Sequence, residues 1–343
     1  MPVRLADLTT LRLGGPASQF VPARTTEDIV SAVRAADMSG EAMLILGGGS
    51  NLVVADDGWP GVVVQLASDG VAVQDTGDDV VVRVDAGVQW DSLVARSIEE
   101  AWAGLASMSG IPGLTGATPV QNVGAYGSEV SELIEDVTVY DRSTSEIVRL
   151  SARDCGFGFR TSAFKATDRF VVLDVAFRLH KSPDSCPIRY VELARRLGVA
   201  QGDTVPSKDV RAAVLDLRRS KGMVLDASDH DTWSVGSFFV NPLVPAATAP
   251  DGCPHWTVDG RIGDLKLSAA WLIERSGFPR GYGLGLGRGR VAISTKHSLA
   301  LTNRGGATTA ELLGLARTIR DGVERTFGVR LRPEPRLAGV SLD

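Results

Sequence analysis

An α+β chain of about two domains, holding a large polar ligand on glycine-rich loops, is the expectation set by three observations. The 343 residues suffice for roughly two domains and a large buried core. Helical periodicity alternates with short β-branched runs that suit an antiparallel or mixed sheet. Residues 110–127, GIPGLTGATPVQNVGAYG, carry glycines at 110, 113, 116, 124 and 127 and no charged residue. A helix or an ordinary strand would not tolerate that glycine density. A surface loop would usually carry charge. The stretch instead lets backbone amides and short polar side chains approach a large, partly anionic ligand.

Composition narrows the class. A hydrophobic fraction of 44% and a charged fraction of 22% are those of a soluble globular protein. The net charge of −5 lacks the basic footprint of a nucleic-acid binder. No apolar run approaches the ~18 residues of a membrane span, and the N-terminal MPVRLADLTTLRLGG has no secretory h-region. Cys155, Cys186 and Cys253 are far apart and form no CxxC pair, so a reducing cytoplasm is expected. His180, His230, His255 and His297 have no HxxxH spacing, so no metal site is expected.

From the N-terminus, Thr25 and Thr26 cap a helix over 27–36 with Ile29, Val30 and Val33 on one face. The strand 42–46 runs into Gly47-Gly48-Gly49-Ser50-Asn51. That run is either a phosphate-facing loop or a tight hairpin leading to a strand at 61–66. Neither a P-loop nor a GxGxxG fingerprint is present, so a dinucleotide here calls for a non-Rossmann fold. Residues 80–85 read as a strand, and Asp91 as the cap of a helix through Trp102. Strands follow at 137–140, 146–150 and 170–179. Between the last two lies Arg160 among Phe157, Phe159 and Phe164. It is either a cation–π feature or, the preferred reading, an anion ligand in a partly dry pocket.

A linker at 181–187, a short helix at 190–197 and a polar loop precede an amphipathic helix over 207–221. Its apolar face is Val210, Ala213, Val214 and Leu217, with Arg218, Arg219 and Lys221 at the end where cations suit the dipole. A domain boundary is expected within 182–207. Further on come a helix at 267–276, strands at 291–294 and 299–303, and a long helix opened by a Thr308–Glu311 capping box. A short strand and Arg332-Pro-Glu334-Pro-Arg336 close the chain.

Taken together, Thr10-Leu-Arg-Leu-Gly-Gly15, Leu46-Gly-Gly-Gly-Ser-Asn51, residues 110–127, Gly158-Phe-Arg160 with Phe164-Lys165, Gly236-Ser-Phe-Phe-Val-Asn-Pro242 and Pro333-Glu334-Pro-Arg336 resemble the UDP-N-acetylenolpyruvoylglucosamine reductase family, in its form with a mobile tyrosine loop. The likeness covers nearly the whole chain. It departs at Val240, where many relatives carry lysine, and at Pro335, where an aliphatic residue is usual.

The resemblance implies an FAD-binding domain of the vanillyl-alcohol-oxidase (PCMH) type in two α/β subdomains, with a C-terminal α+β substrate domain. The implied bounds are 8–182 for the flavin, 183–206 for linker and tyrosine loop, and 207–343 for the substrate. Non-covalent FAD would lie on Leu46, Gly47, Gly48, Gly49, Ser50, Asn51, Gly110, Ile111, Pro112, Gly113, Thr115, Gly116, Thr118, Gln121, Asn122, Gly124, Ala125 and Tyr126. NADPH would be the co-substrate and a UDP-sugar the substrate, met by Tyr190, Lys221, Asn241 and His297. A cytoplasmic monomer without nucleic-acid or membrane partners is implied.

The implied reaction reduces an enol ether conjugated to a carboxylate. It needs a hydride at one alkene carbon, a proton at the next, and stabilisation of the enolate charge. By the resemblance Ser237 gives the proton, Arg160 offers a planar fork to the carboxylate, and Glu334, if neutral, donates to the enolate. Two other functions compete. A flavin oxidase of the same superfamily would leave Ser237 and Glu334 unexplained, and a nucleotide-binding module without redox chemistry would purify colourless.

Overall fold

The computed structural model describes residues 2–165, 167–258 and 263–343. It divides into two compact units, each with its own apolar core. A central unit comprises Ser18–Gly48 and Pro60–Arg219; a terminal unit comprises Met1–Ala17, Gly49–Trp59 and Ser220–Asp343.

The central unit is built on a six-stranded sheet. Its main path runs Glu146–Ser151, Ile134–Asp141, Phe170–Lys181, Asp79–Asp85, Val71–Asp75, with Trp102–Ala103 on the far end of Phe170–Lys181. All its pairings are antiparallel, with Val175 opposite Val137 and Val84, and Phe177 opposite Val82. β-branched residues alternate inward from these strands, and Phe177 meets the ring of Trp90 at 5.9 Å. A smaller sheet orders Ala17–Ala23, Trp59–Leu66 and Met43–Leu46.

Met43–Leu46 and Trp59–Leu66 run parallel. A hairpin requires antiparallel neighbours, so the hairpin alternative for Gly47–Asn51 is overturned. The chain leaves the sheet at the glycines, makes the strand Leu52–Val54 in the terminal unit, and returns.

Helix α1 (Thr26–Ser39) has a reciprocal capping box between Thr25 and Asp28 and ends on left-handed Gly40. Helix α2 (Trp90–Glu99) departs from expectation at both ends. Gln89 is its N-cap, with no side-chain bond, and the helix stops before Ala101, whose φ is +55°. Asp91 is therefore not a cap. Helix α3 (Val191–Leu197) starts after Tyr190, and α4 (Ser207–Ser220) follows. The apolar face of α4 packs with Ala106, Ile188, Leu193 and Ala194, and residues 183–219 belong to the central unit. Arg218 lies in the last turn as expected and is buried there, at 9% exposure.

In the terminal unit, α5 (Ala269–Arg275) is shorter than expected because Leu267 belongs to the strand Asp264–Leu267. Helix α6 (Thr309–Phe327) shows the expected Thr308–Glu311 capping box and buries Leu312, Leu315, Ile319 and Val323. Val291–Ile293 and Leu301–Asn303 pair antiparallel. The closing strand is Arg336–Ala338, after Glu334 and not before Arg332. Its parallel partner Leu52–Val54 fixes that position, while Val329 and Leu331 enter the core. No helix of the described residues is long and apolar enough to cross a membrane.

Candidate active site

In the central unit two glycine loops meet. Leu46 anchors the first in the core, and Gly48 then lies so close to Gly113 that a Cβ on Gly48 would sit 2.7 Å from the Gly113 Cα. Gly116 is equally confined, since a Cβ there would fall 2.4 Å from that of Ala86. Gly47 differs. Its φ is ordinary, and a Cβ would meet only Leu114, at 3.8 Å. Neither packing nor backbone demands glycine at 47, so the position keeps open a space the protein does not fill.

Beside that space, the amides of Gly47, Gly48, Ile111 and Gly113 donate to no acceptor among the described residues. Backbone N–H groups left unengaged on two adjoining glycine loops are the kind of donors that an anion can accept from. Pro112, between two of them, has no N–H and restricts the loop. Gly110 is held from behind, its amide donating to the Asp91 carboxylate at 2.6 Å. Asp91 in turn receives both arms of Arg211, at 2.7 and 2.8 Å.

The short polar residues of 110–127 turn out to build the loop. Thr115 Oγ1 donates to the Val88 carbonyl and Thr118 Oγ1 to that of Thr115. Asn122, 1% exposed, donates to Glu129 and the Gly158 carbonyl and accepts the Ser131 amide. Gln121 is half-buried in the adjoining turn, and Gly124–Ala125 pairs with Ser128–Glu129 as a minimal hairpin.

Asn122, Tyr126 and Arg160 all have left-handed backbones, with φ of +45°, +51° and +53°. Each costs about 1–3 kcal/mol, and such strain collects at ligand sites. Arg160 donates from Nη1 to the Asn122 carbonyl at 3.2 Å and from Nη2 to that of Gly124 at 2.8 Å. Its guanidinium carbon also lies 5.6 Å from the Phe159 ring centre. Among the described residues, two of its five guanidinium N–H groups are engaged.

Tyr126 presents its ring edge-on to Tyr190, with centroids 5.6 Å apart. Burial pushes the Tyr126 phenol up to about 12, Arg218 pulls it back, and Glu192 and Tyr190 add to the rise. Its hydroxyl is therefore a neutral donor. Burial also holds Arg218 below the usual arginine range, with Tyr126 and Asp91 acting in the opposite direction.

In the terminal unit, backbone pairing sets the other candidates side by side. Phe238 donates to the Leu299 carbonyl at 2.8 Å, and Ser237 bridges to Ala300. On the opposite edge Glu334 donates to the Phe238 carbonyl at 2.9 Å, and Phe239 bridges to Pro333. Arg336 then donates to the Asn51 carbonyl at 3.0 Å. Four extended segments thus lie in the order Asn51, Glu334, Ser237, Ala300. Buried Phe238 and Phe239 anchor the second pair to the core.

Gly49, with φ of +59°, lets the loop pass Leu8, since a Cβ there would fall 2.1 Å from the Leu8 carbonyl oxygen. Ser50 is half-buried beside it. Thr10 Oγ1 donates to the Ser234 carbonyl, and Arg12 stacks over Trp233 at 3.9 Å, so the Thr10–Gly15 motif braces the approach to Ser237.

The substrate candidates of this unit lie on the same framework. His297 Nδ1 accepts the Leu299 amide, which leaves the ring proton on Nε2. Asn241 Oδ1 accepts the Ala269 amide at the start of α5. Half-buried Lys221 precedes Gly222, which abuts the backbone of Asp231. Asp91, Arg218 and Asp231 support neighbouring candidate residues, and nothing in their local sequence marks them for it.

Among the described residues no cluster of His, Cys, Asp or Glu could hold a metal ion. Residues 17–151 match the family model described as FAD binding domain, so the protein is a flavoprotein, and the open space at Gly47 with four waiting amides fits a flavin dinucleotide's diphosphate.

Residues 228–338 match a second model, UDP-N-acetylenolpyruvoylglucosamine reductase, C-terminal domain. Proteins of that name from Thermobifida fusca and Salinispora arenicola are 56% and 54% identical, over 99% and 98% of this chain and 98% and 95% of theirs. The chain belongs to the UDP-N-acetylenolpyruvoylglucosamine reductase family, and it is an oxidoreductase. The solved reductase of Thermus caldophilus, at 24% identity, matches its fold with a TM-score of 0.67 over 98% of both chains.

Proposed function

We propose that this protein reduces the enolpyruvyl group of UDP-N-acetyl-3-O-(1-carboxyvinyl)-glucosamine to give UDP-N-acetylmuramate, with NADPH as reductant, in peptidoglycan precursor synthesis. Bound FAD supplies the relay of a hydride from NADPH to the alkene. The chain's own residues do the rest. The amides of Gly47, Gly48, Ile111 and Gly113 hold the cofactor diphosphate. The Arg160 guanidinium addresses the substrate carboxylate. Ser237 delivers the proton to the alkene carbon next to the carboxylate, and Glu334 hydrogen-bonds the charge that develops there. Tyr190, Lys221, Asn241 and His297 contact the sugar nucleotide.

In this reading residues 8–182 serve the flavin, 183–206 carry the tyrosine loop and 207–343 serve the substrate. The protein works as a cytoplasmic monomer.

The observation that carries the assignment is the pairing of the Ser237 and Glu334 segments through the Phe238 carbonyl. It holds a proton donor and an acidic side chain one strand apart, which proton delivery to a charged intermediate needs. Anaerobic stopped-flow of flavin absorbance tests it, with NADPH added first and the sugar nucleotide second. Ser237→Ala should leave reduction by NADPH nearly intact and slow reoxidation at least about a hundredfold. Equal reoxidation rates in the variant and the native protein would remove Ser237 from its role.

A further inference from the structure

Asp231 is 4% exposed, and Thr295 and Arg304 place three donors on its two carboxylate oxygens. The Thr295 amide and Arg304 Nη1 reach Oδ1 at 2.9 and 2.7 Å, and Thr295 Oγ1 reaches Oδ2 at 2.6 Å. These contacts tie together segments that are far apart in sequence. Asp231 lies in the loop that leads into Gly236-Ser237. Thr295 lies two residues before His297, in a turn where Ser294 Oγ also accepts the His297 amide. Gly222, next to Lys221, packs on the Asp231 backbone, 3.1 Å from its carbonyl oxygen to where a Cβ would stand. Arg304 follows Asn303, whose amide donates to the Trp233 carbonyl and whose side chain holds the carbonyls of Leu11 and Arg12. A second link, Lys296 to Asp229 at 2.5 Å, doubles the connection between the two loops.

We propose that Asp231 is a positioning residue for the reduction, its carboxylate setting the mutual register of the segments that carry Lys221, Ser237 and His297. The inference rests on the roles given above to those three residues. A carboxylate suits the position: three donors converge on it, one a guanidinium, and an isosteric amide would lose the charge that pairs with Arg304 and reverse the hydrogen bond with the Thr295 hydroxyl, re-setting these distances. The resulting shift of a few tenths of an ångström passes directly to Ser237 and His297, and proton delivery is sensitive to displacements of that order.

The test uses the full-length, FAD-loaded protein and compares Asp231→Asn and Thr295→Val with Ser237→Ala. Both half-reactions are followed by anaerobic stopped-flow and expressed per bound flavin, which removes losses of folded protein. Asp231→Asn should slow reoxidation by the sugar nucleotide about tenfold or more while reduction by NADPH stays within about twofold. Thr295→Val should act in the same direction by a smaller factor, and it carries the test alone if Asp231→Asn does not fold.

Two outcomes overturn the inference: native reoxidation rates per flavin in these variants, or equal loss in both half-reactions, which a merely structural role would give. Ser237→Ala separates the two levels. If it alone slows reoxidation, the functional reading stands and the role of Asp231 falls. If it too reoxidises at the native rate, the functional reading falls and takes the inference with it.

Discussion

The Asp91 carboxylate accepts the amide of Gly110 at 2.6 Å although Asp91 stands in the first turn of α2. The Arg211 fork closes on the same carboxylate from α4. One ion pair thereby holds the start of the glycine-rich stretch in place. Asp91→Asn should lower the flavin-to-protein ratio after purification and raise the Kd for FAD about tenfold. Arg211→Met should act alike, and the double variant should be little worse than either single change, because the two share one interaction. Fluorescence titration of apoprotein with FAD checks this, and additive losses would separate the two residues.

Gly47 and Gly48 are neighbours with opposite constraints. A methyl at 48 collides with the Gly113 backbone, whereas one at 47 touches only Leu114 at ordinary contact distance. Gly48→Ala should destabilise the apoprotein by about 1–3 kcal/mol. Gly47→Ala should leave apoprotein stability unchanged or up to about 1 kcal/mol higher, yet bind FAD about tenfold more weakly. Thermal melts without cofactor, set against FAD titrations, distinguish the two. Full FAD affinity in Gly47→Ala would mean that the open space serves no ligand.

Acid should unfold the terminal unit through Asp231. Burial pushes its carboxyl up, but Thr295 and Ser294 hydrogen bonds and the Arg304 charge outweigh it, leaving it below the usual range. A lowered carboxylate stabilises the fold above its unfolded pKa and loses that contribution as pH falls through the folded value. Stability should therefore decline below about pH 4. In Asp231→Asn the decline should be shallower, from a lower starting level. Denaturant midpoints measured from neutral to acid pH give the two slopes, and parallel slopes would count against Asp231.

Local chemistry was well written in the sequence. Thr25 and Thr308 cap their helices as their neighbours required, and the β-branched runs became strands because their alternation matches a one-sided core. The glycine stretch was recognisable as a cradle, but not the duties of its polar residues. Thr115, Thr118 and Asn122 bond the loop itself, and nothing local distinguishes a hydroxyl turned inward from one facing a ligand.

The misread positions share one cause. Asp91 looked like a cap, and Arg218 was placed at its helix end without its burial, because their environments come from residues remote in the chain. The final strand was expected before Arg332 because its partner, Leu52–Val54, is almost a whole chain away.

That parallel pair has a consequence for the order in which the molecule can be completed on the ribosome. Residues 60–219 hold all six strands of the large sheet and much of the central core before any of 220–343 is made. Leu52–Val54 must wait, with an unpaired edge, until Arg336–Ala338 emerges. Glu334 takes up its place beside Phe238 only in that last step. A nascent chain stalled before it would have the strands and glycine loops of the central unit but lack the closing strand of the terminal unit. The period between the two events is when this protein most needs shielding from other strand edges.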